Sequence, residues 1–229
     1  MTSQMNEDFV NAKEVKVLSA AENYKYFNHP LSENEIIDVM SDLKHRIFPR
    51  PFERLSSARM NKDLVGAEIG VAGGEHALSL LETLSIKKLY LIDPYDIYET
   101  YTEGKQHYGA NGSGLNEFRV RAEALLSKYS ERIVWIKEKS SDAARLILEQ
   151  LDFVYIDGNH AQDFVTQDIS DFIPKLSSRG VIGGHDFYNG FQREHDGVVN
   201  AVLDAPHLRG FQMRIESPDW WIEISDKRN

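Results

Sequence analysis

Val65-Gly66-Ala67-Glu68-Ile69-Gly70-Val71-Ala72-Gly73-Gly74-Glu75 reads as a short apolar strand that runs into glycines where a helix should begin. Further on, Leu89-Tyr90-Leu91-Ile92-Asp93 reads as a second strand closing on a carboxylate. A carboxylate at the tip of the neighbouring strand suits a ribose diol. Together the two stretches predict a nucleoside-bearing cofactor at the carboxyl ends of a parallel sheet.

The glycine spacing separates two cofactor classes. A dinucleotide site needs G-x-G-x-x-G, whose glycines let a helix N-terminus approach the pyrophosphate. Here Glu68 stands where the first glycine belongs, in Glu68-x-Gly70-x-x-Gly73. A diphosphate would repel that carboxylate, whereas a sulfonium or an amino group would attract it. The run resembles motif I of the class I S-adenosylmethionine-dependent methyltransferases. The resemblance implies that Gly70, Val71 and Gly73 approach the methionine part of the cofactor. Glu68 then holds the turn or reaches the amine through water, and Asp93 takes both ribose hydroxyls.

Composition bounds the rest. At 229 residues, 41% hydrophobic and 27% charged, the chain suits a soluble domain with a substantial core. Its formal charge of −10 argues against a nucleic-acid backbone as partner, because phosphate binding wants a basic face. With no cysteine, disulfides and thiolate metal sites are excluded. The polar, acidic start is no signal peptide, and no apolar run approaches membrane-spanning length. The expected setting is cytoplasmic, without a membrane partner.

Residues 1–60 lack the strand-helix alternation of the remaining chain. Ser32 and Glu35 form a capping box, and Ile36, Met40, Leu43 and Ile47 recur at helical spacing down to Pro49-Arg50-Pro51. This predicts an N-terminal helical cap ahead of a catalytic domain over 61–229. Within that domain, strands are predicted at 88–93, 133–136, 153–156 and 181–182. Helices are predicted to bury Ala77, Leu80, Leu81 and Leu84, then Leu115 to Tyr129, Ala143 to Leu148, and Val165 to Leu176. Phe211–Ile215 and Trp220–Ile224 across a short turn form an antiparallel hairpin. The fold class is therefore α/β: a Rossmann-like, mostly parallel seven-stranded sheet with an antiparallel C-terminal hairpin and helices on both faces, as in the class I methyltransferases it resembles. The tyrosine- and glycine-rich connection from Pro94 to Asn116 is long enough to suggest a lid.

Asp157-Gly158-Asn159-His160 and Gly183-Gly184-His185-Asp186 each end a strand, so Asp157, His160, His185 and Asp186 should converge at the ligand crevice. Carboxylates with imidazoles and no thiolate suit magnesium or manganese, which would lower the pKa of a bound hydroxyl, while a neighbouring histidine takes the proton. The two phrases resemble those of bacterial small-molecule O-methyltransferases that act on sugars and macrolides. That resemblance implies Asp157 and Asp186 as metal ligands and His160 as the catalytic base. His185 departs from it, standing where a carboxylate is expected. Either His185 ligates the metal, or the site is metal-free and Asp157 contacts the cofactor amine. Ser140, Ser141 and Asp142 come after strand three, where Ser141 or Asp142 accepts from the adenine amino group.

The expected function is S-adenosylmethionine-dependent O-methylation (EC 2.1.1 class) of a small hydroxylated metabolite or sugar, by a protein that is monomeric or a homo-oligomer. The alternatives are a nicotinamide-dependent oxidoreductase, a methyltransferase of nucleic acid or protein, and a non-catalytic nucleotide-binding protein on the same fold.

Overall fold

A computed structural model describes residues 50–53, 63–98, 113–187 and 196–227. The helix expected across 32–48, residues 99–112 of the long connection, and Tyr188 lie outside the described residues. The chain divides into two compact units.

The larger unit holds every strand described. Seven strands form one sheet in the order β3-β2-β1-β4-β5-β7-β6. They are β1 (Leu64–Ile69), β2 (Ile86–Ile92), β3 (Ile133–Ile136), β4 (Leu151–Ile156), β5 (Leu176–Gly184), β6 (Phe211–Glu216) and β7 (Asp219–Lys227). β1 to β5 pair in parallel, and β7 enters antiparallel against β5 with β6 as its hairpin partner. The order runs outward from β1 in both directions, so the crevice between β1 and β4 is the switch point where ligands bind in open parallel sheets.

Strand alternation assigns each side chain to a face. On one face Ala67, Ile69, Val154, Ile156 and Ile182 share a core with Val165, Ile169 and Phe172 of α4 (Gln162–Phe172) and with Val198 and Ala201 of α5 (Asp196–Asp204). α3 (Ser140–Leu146) adds Ala143 and Ala144. On the other face, residues 66, 68, 153, 155 and 183 neighbour one another by register. Here glycine is required for room: a Cβ on Gly66 would lie 2.1 Å from the Phe153 ring, and one on Gly183 would lie 2.8 Å from the Phe52 ring. Phe52, fully buried, meets Phe153 and Tyr155 edge-on at 6.1 and 5.0 Å. Burying such a ring contributes about 1.5–3 kcal/mol.

The smaller unit contains α1 (Glu75–Thr83) up to residue 82 and α2 (Ser113–Leu125). Ala72 (φ 45°) and Gly74 (φ 85°) are left-handed and turn the chain into α1. Arg121 of α2 pairs with Glu75, and both side chains are buried. No helix among the described residues is long and apolar enough to cross a membrane.

Several boundaries differ from the sequence expectation. Leu176, expected at the end of a helix, begins β5, because Pro174 offers no amide and the helix tightens to a 3-10 turn at Ile173–Lys175. α3 starts at Ser140 and stops at Leu146 rather than running from Ala143 to Leu148, leaving Leu148 93% exposed. Tyr129 falls in the 3-10 turn Ser127–Arg132 just after α2.

Asp168 on the inner side of α4 is buried. Burial raises its pKa from 3.8 to about 7; a hydrogen bond from Ser140 opposes the rise and Asp171 adds to it. The native state therefore holds a proton that the unfolded chain has released between these values. The stabilisation is complete below about pH 4 and lost as pH rises through about 7, a swing on the order of 4 kcal/mol. Asp168→Asn, neutral at every pH, should raise the melting temperature at pH 8 and raise it by clearly less at pH 5, where most of the swing is still to come. Thermal melts at the two values check this, and an equal offset at both would contradict it.

Candidate active site

Main-chain hydrogen bonds set the strand tips in a row. Asp93 N donates to Ile136 O (3.2 Å), Gly70 N to Ile92 O (2.9 Å), Asp157 N to Ile69 O (2.8 Å) and His185 N to Ile156 O (3.0 Å). Each tip residue thus sits beside the end of the adjoining strand, and the four expected site positions line the carboxyl edge of β2, β1, β4 and β5.

At the β1 end Gly70 is left-handed (φ 83°), and a Cβ there would lie 2.0 Å from Asp157 O. Glycine alone brings the β1 and β4 tips this close. Asp93 Oδ2 accepts from Val71 N at 2.9 Å, which seats the carboxylate beside the glycine turn. A carboxylate takes several donors, so this bond is compatible with a diol. Glu68 is 1% exposed and lies between Leu91 and Tyr155 by register, so it is a buried group of the sheet face. Gly73 belongs to the smaller unit, where a Cβ would lie 2.6 Å from the Glu75 carboxylate. Ser141 lines a cavity of about 520 Å³ between α3 and α4, together with Arg145, Gln167, Asp171 and Lys175.

At the β4 and β5 ends the structure gathers the expected aspartates and histidines. His160 Nε2 lies 2.9 Å from Asp186 Oδ2 and 3.7 Å from Asp157 Oδ1. His185 Nδ1 lies 3.3 Å from Asp186 Oδ1 and its Nε2 lies 4.0 Å from Asp219 Oδ1. Asp186 adopts φ 60°, a left-handed conformation costing on the order of 1–2 kcal/mol, and so sits between the two imidazoles. Burial alone would raise the Asp186 pKa, but hydrogen bonds from His160 and His185 outweigh it and hold the carboxyl well below the usual range. Asp157 is likewise lowered: burial pushes it up, and Arg50, His185 and His160 together pull it further down.

Sequence reasoning missed three members of this cluster. Arg50 Nη1 donates to Asp157 Oδ2 (2.6 Å) and to Tyr155 OH (2.8 Å). Tyr155 OH donates to Asp219 Oδ1 (2.9 Å), and Asp219 Oδ2 accepts from Phe52 N (3.1 Å). The seven side chains close a ring: Arg50, Asp157, His160, Asp186, His185, Asp219 and Tyr155. The Pro49-Arg50-Pro51 run looks like a helix stop, Tyr155 like a core aromatic and Asp219 like a turn residue. Only the Tyr155 hydroxyl, polar in a buried strand, signalled a partner.

Asp157, His160 and Asp186 each offer a ligand atom within 4.8 Å of the others, the spacing a metal ion needs. His185 stands outside that trio. If His160 gave Nε2 to an ion it could not also use that nitrogen to bond Asp186, so ligand and Asp186-oriented base are exclusive roles.

Residues 67–187, more than half of the chain, match the family described as "Methyltransferase domain". A comparison with curated proteins finds no match. Among solved structures, an rRNA methylase from Streptococcus thermophilus is 13% identical with TM-score 0.53, over 80% of this chain and 99% of that one. A protein from Streptococcus mutans solved with S-adenosylhomocysteine is 15% identical with TM-score 0.53, over 77% and 99%. The calicheamicin methyltransferase CalS11 is 12% identical with TM-score 0.53, over 97% and 91%. At such identities these likenesses establish the fold. Strand order, glycine turn, tip carboxylate and family match agree: the chain belongs to the methyltransferase-domain family and is a class I S-adenosylmethionine-dependent methyltransferase.

Proposed function

We propose that the protein transfers the methyl group of S-adenosylmethionine to a hydroxyl of a small hydroxylated molecule, such as a sugar or glycosylated metabolite. The observation that carries this reading is the His160 Nε2 to Asp186 Oδ2 contact of 2.9 Å, one strand from the Gly70 turn. With Nε2–H donated to Asp186, Nδ1 carries the lone pair that takes the hydroxyl proton. The carboxylate then stabilises the imidazolium as the oxygen attacks the methyl carbon and the sulfonium leaves as a thioether. A sulfonium is already an activated donor, so alignment and proton removal are the remaining tasks.

Gly70, Val71 and Asp93 are the residues assigned to the methionine and ribose parts of the cofactor. Glu68, buried beneath the turn, supports it from inside the sheet. The structural relatives include both an rRNA methylase and a calicheamicin methyltransferase, so fold likeness selects neither acceptor. The formal charge of −10 supports the small molecule.

The test is transfer of radiolabelled methyl from S-adenosylmethionine to a panel of hydroxylated sugars and glycosides, with ribosomal RNA and casein alongside. Label is expected in an ether of a panel member and absent from RNA and protein. Incorporation into RNA alone would overturn the assignment.

A further inference from the structure

The cluster at the β4 and β5 tips contains a permanent cation. Arg50 Nη1 touches Asp157 at 2.6 Å, and its guanidinium carbon stands 5.3 Å from the Tyr155 ring centroid. Among the described residues Nη1 makes both side-chain hydrogen bonds of this guanidinium. The backbone around it is pinned. Arg50 N donates to Glu53 Oε1 (3.2 Å), Glu53 N donates to Arg50 O (3.0 Å), and Thr83 Oγ1 donates to Glu53 Oε2 (2.8 Å). Phe52 fills the space beside Gly183, and its amide holds Asp219. Arg50 is therefore a placed residue, not a surface side chain that happened to fold inward.

We propose that Arg50 takes the position of charge that a divalent cation would otherwise supply, so that Asp157, His160 and Asp186 bind no metal in this protein. Three carboxylates meet here, Asp157, Asp186 and Asp219, and Arg50 is the fixed positive charge among them, in direct contact with Asp157. A divalent ion held by Asp157 would stand close to a fixed guanidinium, where repulsion is large even at a surface-like dielectric. The three ligand atoms have the spacing of a metal site, but Asp157 already holds a guanidinium and Asp186 already holds two imidazoles. Burial would lower the Arg50 pKa, but Tyr155, Asp157 and Asp219 outweigh it and keep the guanidinium charged.

Arg50 is on this view a positioning residue that fixes Asp157 and supplies positive potential beside the acceptor. Only that second task rests on the proposed hydroxyl methylation. Exclusion of metal stands by itself.

Manganese titration monitored by electron paramagnetic resonance tests it, on the full chain loaded with S-adenosylhomocysteine. Wild type and Arg50→Lys should leave manganese free, while Arg50→Met, which uncovers Asp157, should bind it at least about ten-fold more tightly. Manganese bound by the wild type as tightly as by Arg50→Met would overturn the proposal, and so would failure of a folded Arg50→Met to bind any. Should Arg50→Met not fold, the wild-type titration decides alone, since tight manganese binding with Arg50 in place is incompatible with it. Calorimetry with S-adenosylhomocysteine on the same samples keeps the two readings apart. Loss of that binding would indict the cofactor assignment and leave the metal result intact.

Discussion

Replacing His160 by alanine is expected to cut the rate of methyl transfer by about 10²–10⁴-fold, the usual contribution of a positioned general base. The affinity for S-adenosylhomocysteine should stay unchanged, because the glycine turn and Asp93 lie at other strand tips. His160 is part of a pair with Asp186, 2.9 Å away, and the two should behave as a unit. Asp186→Asn removes the charge that stabilises the imidazolium, and adding it to His160→Ala should cost little more. Single-turnover rates on the acceptor found in the labelling panel, with calorimetry on the same proteins, check the result. A His160→Ala enzyme of wild-type rate would remove the imidazole from the chemistry.

Gly70→Ala should damage both stability and the site. At φ 83° a side chain costs on the order of 1–2 kcal/mol in backbone strain. The added Cβ would also stand 2.0 Å from Asp157 O and 2.7 Å from Gly158 Cα. These are main-chain atoms, which cannot rotate away, so the β4 tip must shift at a further cost of about 1–3 kcal/mol. Gly210 provides the control: it too is left-handed, at φ 86°, but a Cβ there meets nothing within 4 Å. Gly210→Ala should show the strain alone, with cofactor binding intact. Urea melts and calorimetry on both variants check the contrast, and equal losses would refute the close-approach account.

Much of the sheet was legible because its cues are local. Short apolar runs end at Ile69, Ile92 and Ile156, and each is followed at once by a glycine or a carboxylate. Asp93, Asp157, His160 and Asp186 could be placed because tips in a parallel sheet share an edge. Arg50 was illegible for the opposite reason. Its partner Asp157 is distant in the chain, and nothing in Pro49-Arg50-Pro51 reports a carboxylate beside it. Asp219 likewise looks like an ordinary turn residue until Tyr155 and Phe52 are seen to converge on it. The expectation that Leu176 closes a helix failed because apolar spacing is a weaker determinant there than a single proline, whose missing amide decides the backbone.

The amide-to-carbonyl links that join successive strand ends carry one more implication. They are indifferent to what the linked residues carry beyond the α-carbon. Natural variation can therefore exchange carboxylate, imidazole or amide at those ends without breaking the links, so long as Gly70 stays glycine and a change at Asp157 is matched at Arg50. Such a frame separates inheritance of the scaffold from invention of the reaction, and a short bench programme of swaps along that rim would reveal how far the chemistry can be rewritten.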